Sequence, residues 1–277
     1  MDAIRANEHA VHADETYIRD QRPGVGIYTA GYYPHNYDFM AFAGTMAGRS
    51  RQAVEASRKV ATLVPEEMLY APGMTFAQHF LTRPLQVYVR FGLWDEILDT
   101  PAPDAELPHA RAMWHYARGR ALTAKGDLAA AAAELARLRD IVEGPELEGV
   151  RLEFNLSRDV LSIGLHVLAG RLAEARGSYD EAVAELEEAA RFEDGLLYGE
   201  PPEWTVPVRQ ELGMVLLAAG HPSEAERVFR EDLERFRENG WSLRGLELAF
   251  RDLGREREAE EAAKAFAEAW RHADVRL

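Results

Sequence analysis

Apolar positions recur at helical rather than strand spacing along nearly the whole chain. Residues 3–19 predict one helix, because Ile4, Val11 and Ile18 repeat every seven residues and Ala3, Ala6, Ala10 and Tyr17 broaden the apolar side. Asp20 to Pro34 interrupts the pattern with Pro23, Gly24, Gly26, Gly31 and Pro34. Six helical pairs are predicted after it, at 35–64, 76–99, 106–142, 153–193, 204–238 and 241–272. Pro72-Gly73, Gly144-Pro145 and Pro201-Pro202 break the longer connections between them. Inside each pair stands a turn glycine: Gly48, Gly92, Gly126, Gly177, Gly220 and Gly254. Five residues further on come Ala53, Ile97, Ala131, Ala182, Ala225 and Ala259, small in all but the second pair. The intervals 92–126 and 220–254 are each 34 residues, the period of a helix–turn–helix repeat. A glycine lets the chain turn sharply, and an alanine lets the second helix lie close to the first. Stacked repeats of this kind leave a long concave surface.

The best-defined copies are Leu212-Gly213, Leu216, Gly220, Ala225 and Phe229, and Gly170, Gly177, Tyr179, Ala182, Leu186 and Ala189. These residues resemble the tetratricopeptide repeat. The resemblance covers nearly everything from residue 34 onward and is weakest at 76–99, where Ile97 replaces the small residue. It implies an all-α, right-handed α-solenoid of about six helical hairpins. On this division 1–19 is an unpaired N-terminal helix, 20–34 a Tyr/Gly/Pro loop and 35–277 one continuous array. Tyr32-Tyr33-Pro34-His35-Asn36, the run Arg90 to Leu98, and Asn239 to Leu243 resemble segments of large, uncharacterised bacterial proteins of this class. Those proteins carry further repeats ahead of the helix matching 3–19, so the chain looks like their C-terminal portion. They also have a histidine where Asp38 stands. An orphan first helix expects a partner for its apolar side, and homodimerisation through this end is one expectation.

Charge and composition narrow the partners. There are 47 acidic and 32 basic residues, a net charge of −15, which argues against nucleic-acid binding driven by phosphate neutralisation. With no cysteine, disulfides, thiolate metal sites and cysteine nucleophiles are excluded. No apolar run is long enough for a transmembrane helix, and the N-terminus lacks the apolar stretch of a signal peptide, so no membrane partner and a cytoplasmic location are expected.

In tetratricopeptide repeats the first helix of each pair lines the concave side. The resemblance therefore directs Tyr116, Arg120, Arg171, Arg244 and Arg251 into the groove. Arginine recognises carboxylates through two parallel hydrogen bonds, so the expected function is a non-catalytic scaffold binding a protein or peptide, of acidic character, in that groove. The plainer alternative pairs each arginine with a scaffold glutamate.

The N-terminal end of the groove offers different chemistry. His35 and Asp38 stand three apart on one helix, His79 belongs to the next pair, and His9 and His12 stand three apart on the first helix. Imidazole and carboxylate at this spacing suit a transition metal such as Zn, Cu or Fe. Tyr32, Tyr33, His35, Asn36, Asp38 and His79 thus form an alternative small-molecule or metal site. Against it, His9 and His12 fall on the polar side of their helix beside Glu8 and Glu15, and the tyrosines equally suit core and loop packing. No phosphate-binding glycine loop and no Gly-x-Ser-x-Gly elbow occurs, so no catalytic residue is named and no cofactor is expected for the scaffold.

Overall fold

The computed structural model describes residues 2–277, with side chains from residue 3 onward. Among the described residues it is all-α, with no β-strand. Helix α1 (Asp2–Gln21) leads through a π-helical turn, Tyr28–Tyr32, into α2 (Tyr33–Met46). Then come α3 (Ser50–Thr62), the short α4 (Glu66–Leu69), α5 (Thr75–Phe91) and α6 (Trp94–Asp99). The remainder is α7 (Pro108–Ala124), α8 (Leu128–Glu143), α9 (Ser157–Ala175) and α10 (Tyr179–Gly195), followed by α11 (Val208–Ala218), α12 (Pro222–Arg235), α13 (Gly240–Asp252) and α14 (Glu256–Ala269). Six hairpins result, α2/α3, α5/α6, α7/α8, α9/α10, α11/α12 and α13/α14, and each packs on the next.

The glycine ladder has one local cause. All six turn glycines adopt φ between +67° and +83°. After each, the next residue's N–H reaches back five positions to a carbonyl of the first helix, as in Arg49 to Gly44 at 2.9 Å and His221 to Leu216 at 2.8 Å. This six-to-one bond is the Schellman closure, which needs a left-handed residue. The residue five past the glycine then makes the first ladder bond of the second helix, as Ala225 does to His221 at 3.0 Å. It lies where the two helices converge, and Ala53, Ile97, Ala131, Ala182, Ala225 and Ala259 are all at most 2% exposed.

Two predicted boundaries shift for tertiary reasons. The pair expected from 153 begins at Ser157, because Leu152 and Asn155 close a turn (Leu152 N to Asn155 O, 3.0 Å). The pair expected from 204 begins at Val208, because 203–207 run through the interior. Helix α1 has its partner within the chain: it packs on α2, burying Ile4 and Val11. The homodimer expectation therefore loses its physical motive.

The last hairpin meets the first, closing the array into a ring. Trp241 Nε1 donates to the Thr45 carbonyl at 2.9 Å, and Phe42 and Phe236 meet edge to face at 6.2 Å. Asp274 caps α3 from 224 positions away, accepting from Ser50 N (2.6 Å), Ser50 Oγ (2.7 Å) and Arg51 N (3.2 Å). An anionic cap at a helix N-terminus satisfies orphan donors and suits the helix dipole. Trp270 wedges between backbones: a Cβ on Gly48 would sit 2.3 Å from its ring, and one on Gly240 2.1 Å from it.

Gly48 and Gly126 separate turn strain from closure, since both have left-handed φ but nothing lies within 4 Å of a Cβ on Gly126. Gly126→Ala is expected to cost about 1 kcal/mol, the strain of the turn. Gly48→Ala is expected to cost roughly 1–3 kcal/mol more, through overpacking against Trp270. Urea denaturation of both variants checks this, and equal losses would contradict the closure by Trp270.

Candidate functional site

The ring interior is filled by the chain itself. The connection 196–207, between α10 and α11, passes across the inner faces of α5, α7 and α9. Glu203 O accepts from Arg83 Nη1 at 3.3 Å, and Thr205 Oγ1 donates to Gln86 Oε1 at 2.7 Å, both partners lying on α5. The Trp204 ring packs edge-on against Tyr116 of α7 at 5.1 Å and lies over Gly164 of α9. Asn155 clamps the segment by bonding Leu197 and the Glu203 carboxylate (2.9 Å). Residues 203–207 are all buried.

The residues expected to bind a partner along this surface are consequently engaged. Tyr116 and Arg120 are buried, and Arg120 Nη1 bonds Tyr116 Oη (3.1 Å) and Glu211 Oε1 (2.9 Å). Arg171 pairs with Glu174 at 2.9 Å and approaches Glu211 at 3.6 Å. Burial alone would raise the Glu211 carboxyl, but the charges of Arg120 and Arg171 outweigh it and hold it below the usual range. Arg244 and Arg251 share Glu247 at 2.5 and 2.6 Å. All four guanidinium groups therefore have carboxylates of the same chain as partners.

The five residues considered for metal do not converge. His9 and His12 are exposed on α1. Asp38 on α2 is buried and spent on Arg83, with Nε 2.5 Å from Oδ1 and Nη2 donating to Oδ2 at 2.7 Å. His79 Nδ1 lies 3.0 Å from His109 Nε2, and His109 Nδ1 lies 2.8 Å from Ser157 Oγ, all in the core. Burial, with the Arg83 charge added, pushes His79 well below its ordinary value and His109 to about 3, so both rings are neutral links in a buried hydrogen-bonded chain. Among the described residues no group of three or more His, Asp or Glu side chains could hold a metal ion. A metal does not fit this donor set.

The tyrosines divide into two groups. Tyr33 Oη (3.2 Å) and Tyr37 Oη (2.8 Å) donate to Glu15 on α1, while Tyr28 Oη (2.5 Å) and Asn36 Nδ2 (2.6 Å) donate to Asp14. The hydrogen bond to Asp14, with burial and the carboxylate charge, lifts the Tyr28 phenol to about 12. These four donors fasten α1 to α2, so Tyr33 and Asn36 are structural. Tyr32 points elsewhere and is 63% exposed.

Tyr32 and His35 line a cavity of about 430 Å³ at the N-terminal mouth of the ring. Ile27, Phe76, Phe80 and Leu152 supply apolar wall, Gly31 and Gly73 leave room, and Glu153 stands at the edge. Phe76 and Phe80, one helical turn apart on α5, meet edge to face at 5.7 Å, and the His35 ring stands at right angles to Phe39 at 4.9 Å. This volume falls in the range of small-molecule sites. Tyr32 Oη, the His35 imidazole and the Glu153 carboxylate have no hydrogen bond or ion pair among the described residues. The five wall and edge residues Ile27, Phe76, Phe80, Leu152 and Glu153 were missing from the sequence-based site. For Ile27, Leu152 and Glu153 the signal is apolar residues in otherwise polar connections, such as Leu152-Glu153-Phe154, whereas Phe76 and Phe80 lie on α5.

Comparison of the chain with family models finds no match, and comparison with curated proteins finds none either. No helix among the described residues is long and apolar enough to cross a membrane.

The exit of the interior segment carries a titratable lock. Glu193, at the end of α10, accepts from Val208 N at 3.2 and 3.3 Å at the start of α11. Burial lifts its carboxyl to about 8, from an ordinary 4.5. Between those values the folded chain keeps a proton that the unfolded chain releases, so stability from this group is full below about pH 4.5 and falls as pH rises through about 8. Glu193→Gln keeps an acceptor for Val208 and removes the titration. Its melting temperature is expected to rise relative to the parent between pH 5 and pH 9, and parallel Tm–pH curves would refute the assignment.

Proposed function

We propose that this chain is a non-catalytic scaffold of tetratricopeptide-type hairpins whose ligand site is the cavity at the N-terminal mouth of the ring. A small, largely apolar molecule enters between Tyr32, Phe76, Phe80 and Leu152, and the polar edge of Tyr32, His35 and Glu153 orients it. The observation that carries this reading is a contrast in pairing. The groove arginines have their carboxylates within the chain, whereas the three polar groups around the cavity have no hydrogen bond or ion pair among the described residues. Unpaired donors and acceptors around an apolar hollow are what a ligand site requires. With the interior filled by residues 203–207, the binding role expected of the groove moves to its mouth.

The test uses 4-ethylphenol as a neutral aromatic probe. Titration is expected to shift the ring-proton NMR signals of His35, and Tyr32→Ala, a change at an exposed position, is expected to weaken binding about three- to tenfold through loss of ring contact. No shift at His35, or equal binding by Tyr32→Ala, refutes the site.

A further inference from the structure

We infer that the ligand of this cavity is a small organic cation, a primary or substituted ammonium carried on an aromatic or branched apolar body. The inference rests on the reading of the cavity as a ligand site and adds the charge of what fills it. Among the described residues Glu153 is the only carboxylate of the lining, and no lysine or arginine lines the cavity. That carboxylate makes no ion pair among the described residues and borders the cavity. Three aromatic residues, Tyr32, Phe76 and Phe80, line the same space. A ring face attracts a cation through its quadrupole, and a carboxylate attracts it through charge, so both kinds of wall favour the same sign.

The surroundings reinforce that sign. Because every hairpin turns at its glycine, the connections between hairpins lie at the opposite end, and some of them border the cavity. The three connections that supply its lining, 22–32, 63–74 and 144–156, carry five acidic residues and two arginines. A rim of this balance raises the local concentration of cations and repels anions, an effect that added salt weakens. A neutral ligand would satisfy the apolar wall but leave Glu153 unpaired. An anion would have to desolvate beside that carboxylate with no lysine or arginine in the lining to receive it.

The intact chain is titrated with three probes of one shape and different charge: tyramine, 4-ethylphenol and 3-(4-hydroxyphenyl)propionate. Tyramine is expected to bind about three- to thirtyfold more tightly than 4-ethylphenol, with the propionate weakest. Glu153→Gln, a change at an exposed and unpaired position, is expected to bring the three affinities together, and 0.5 M NaCl to narrow the spread. N-acetyl-lysyl-phenylalaninamide presents the same ammonium on a peptide. Tighter binding of the dipeptide than of tyramine identifies a peptide side chain as the source, and the reverse a free amine; either order supports the cation. If 4-ethylphenol binds as tightly as tyramine, or the preference survives Glu153→Gln, the cation is refuted while the cavity stands. If none of the probes shifts His35, the site and its ligand class fall together.

Discussion

One buried cation, Arg83, constrains most of the interior. Taking a guanidinium out of water costs several kcal/mol unless its donors are met. Here Asp38 from α2, the Glu203 carbonyl from the long connection and the Gln86 amide oxygen meet them. Gln86 in turn receives Thr205. The docking of the first hairpin on the second and the seating of residues 203–207 inside the ring are thus parts of one arrangement, and withdrawing the segment would leave the charge short of acceptors. What repeat geometry presents as a groove behaves as a core.

The hairpins could be read in the sequence because their signal is local. The Schellman bond spans six residues, and the small residue follows five behind the glycine, so each repeat writes its turn in adjacent letters. The closure could not be read, since Trp270 and Gly48 are neighbours only after five other hairpins have set their angles. The same distinction explains the candidate site. The repeat resemblance directed Tyr116 and Arg120 to the inner face, but local spacing carries no record of a distant segment covering that face. Asp38 and His79 looked available because their partners, Arg83 and His109, come from other turns or other helices. Tyr32 and His35 line the cavity, whereas their neighbours Tyr33 and Asn36 are turned towards α1.

Unequal connections shape that mouth. The intrahairpin turns are short and nearly identical, which leaves little room for a hollow at that end. At the opposite end the π-helical turn before α2, the loop before α5 and the 144–156 connection differ in length and meet without filling the space between them. Several large apolar residues remain outside on these connections: Ile27, Tyr32, Phe154, Leu197 and Tyr198 are each at least 47% exposed. The two ends of the ring therefore differ in chemistry as well as in regularity, one a set of repeated polar turns and the other an acidic rim holding aromatic rings.

Closure also changes how this architecture can vary. An open array of hairpins gains or loses a unit with little penalty, because each contacts only its neighbours. Here the sixth hairpin supplies the wedge and the helix cap that the first requires, so the number of hairpins is set by the circumference. An added unit would push Trp270 away from Gly48 and Asp274 away from Ser50, and a deleted one would leave them unable to reach. Diversification is left to the connections, whose lengths can change without altering the count.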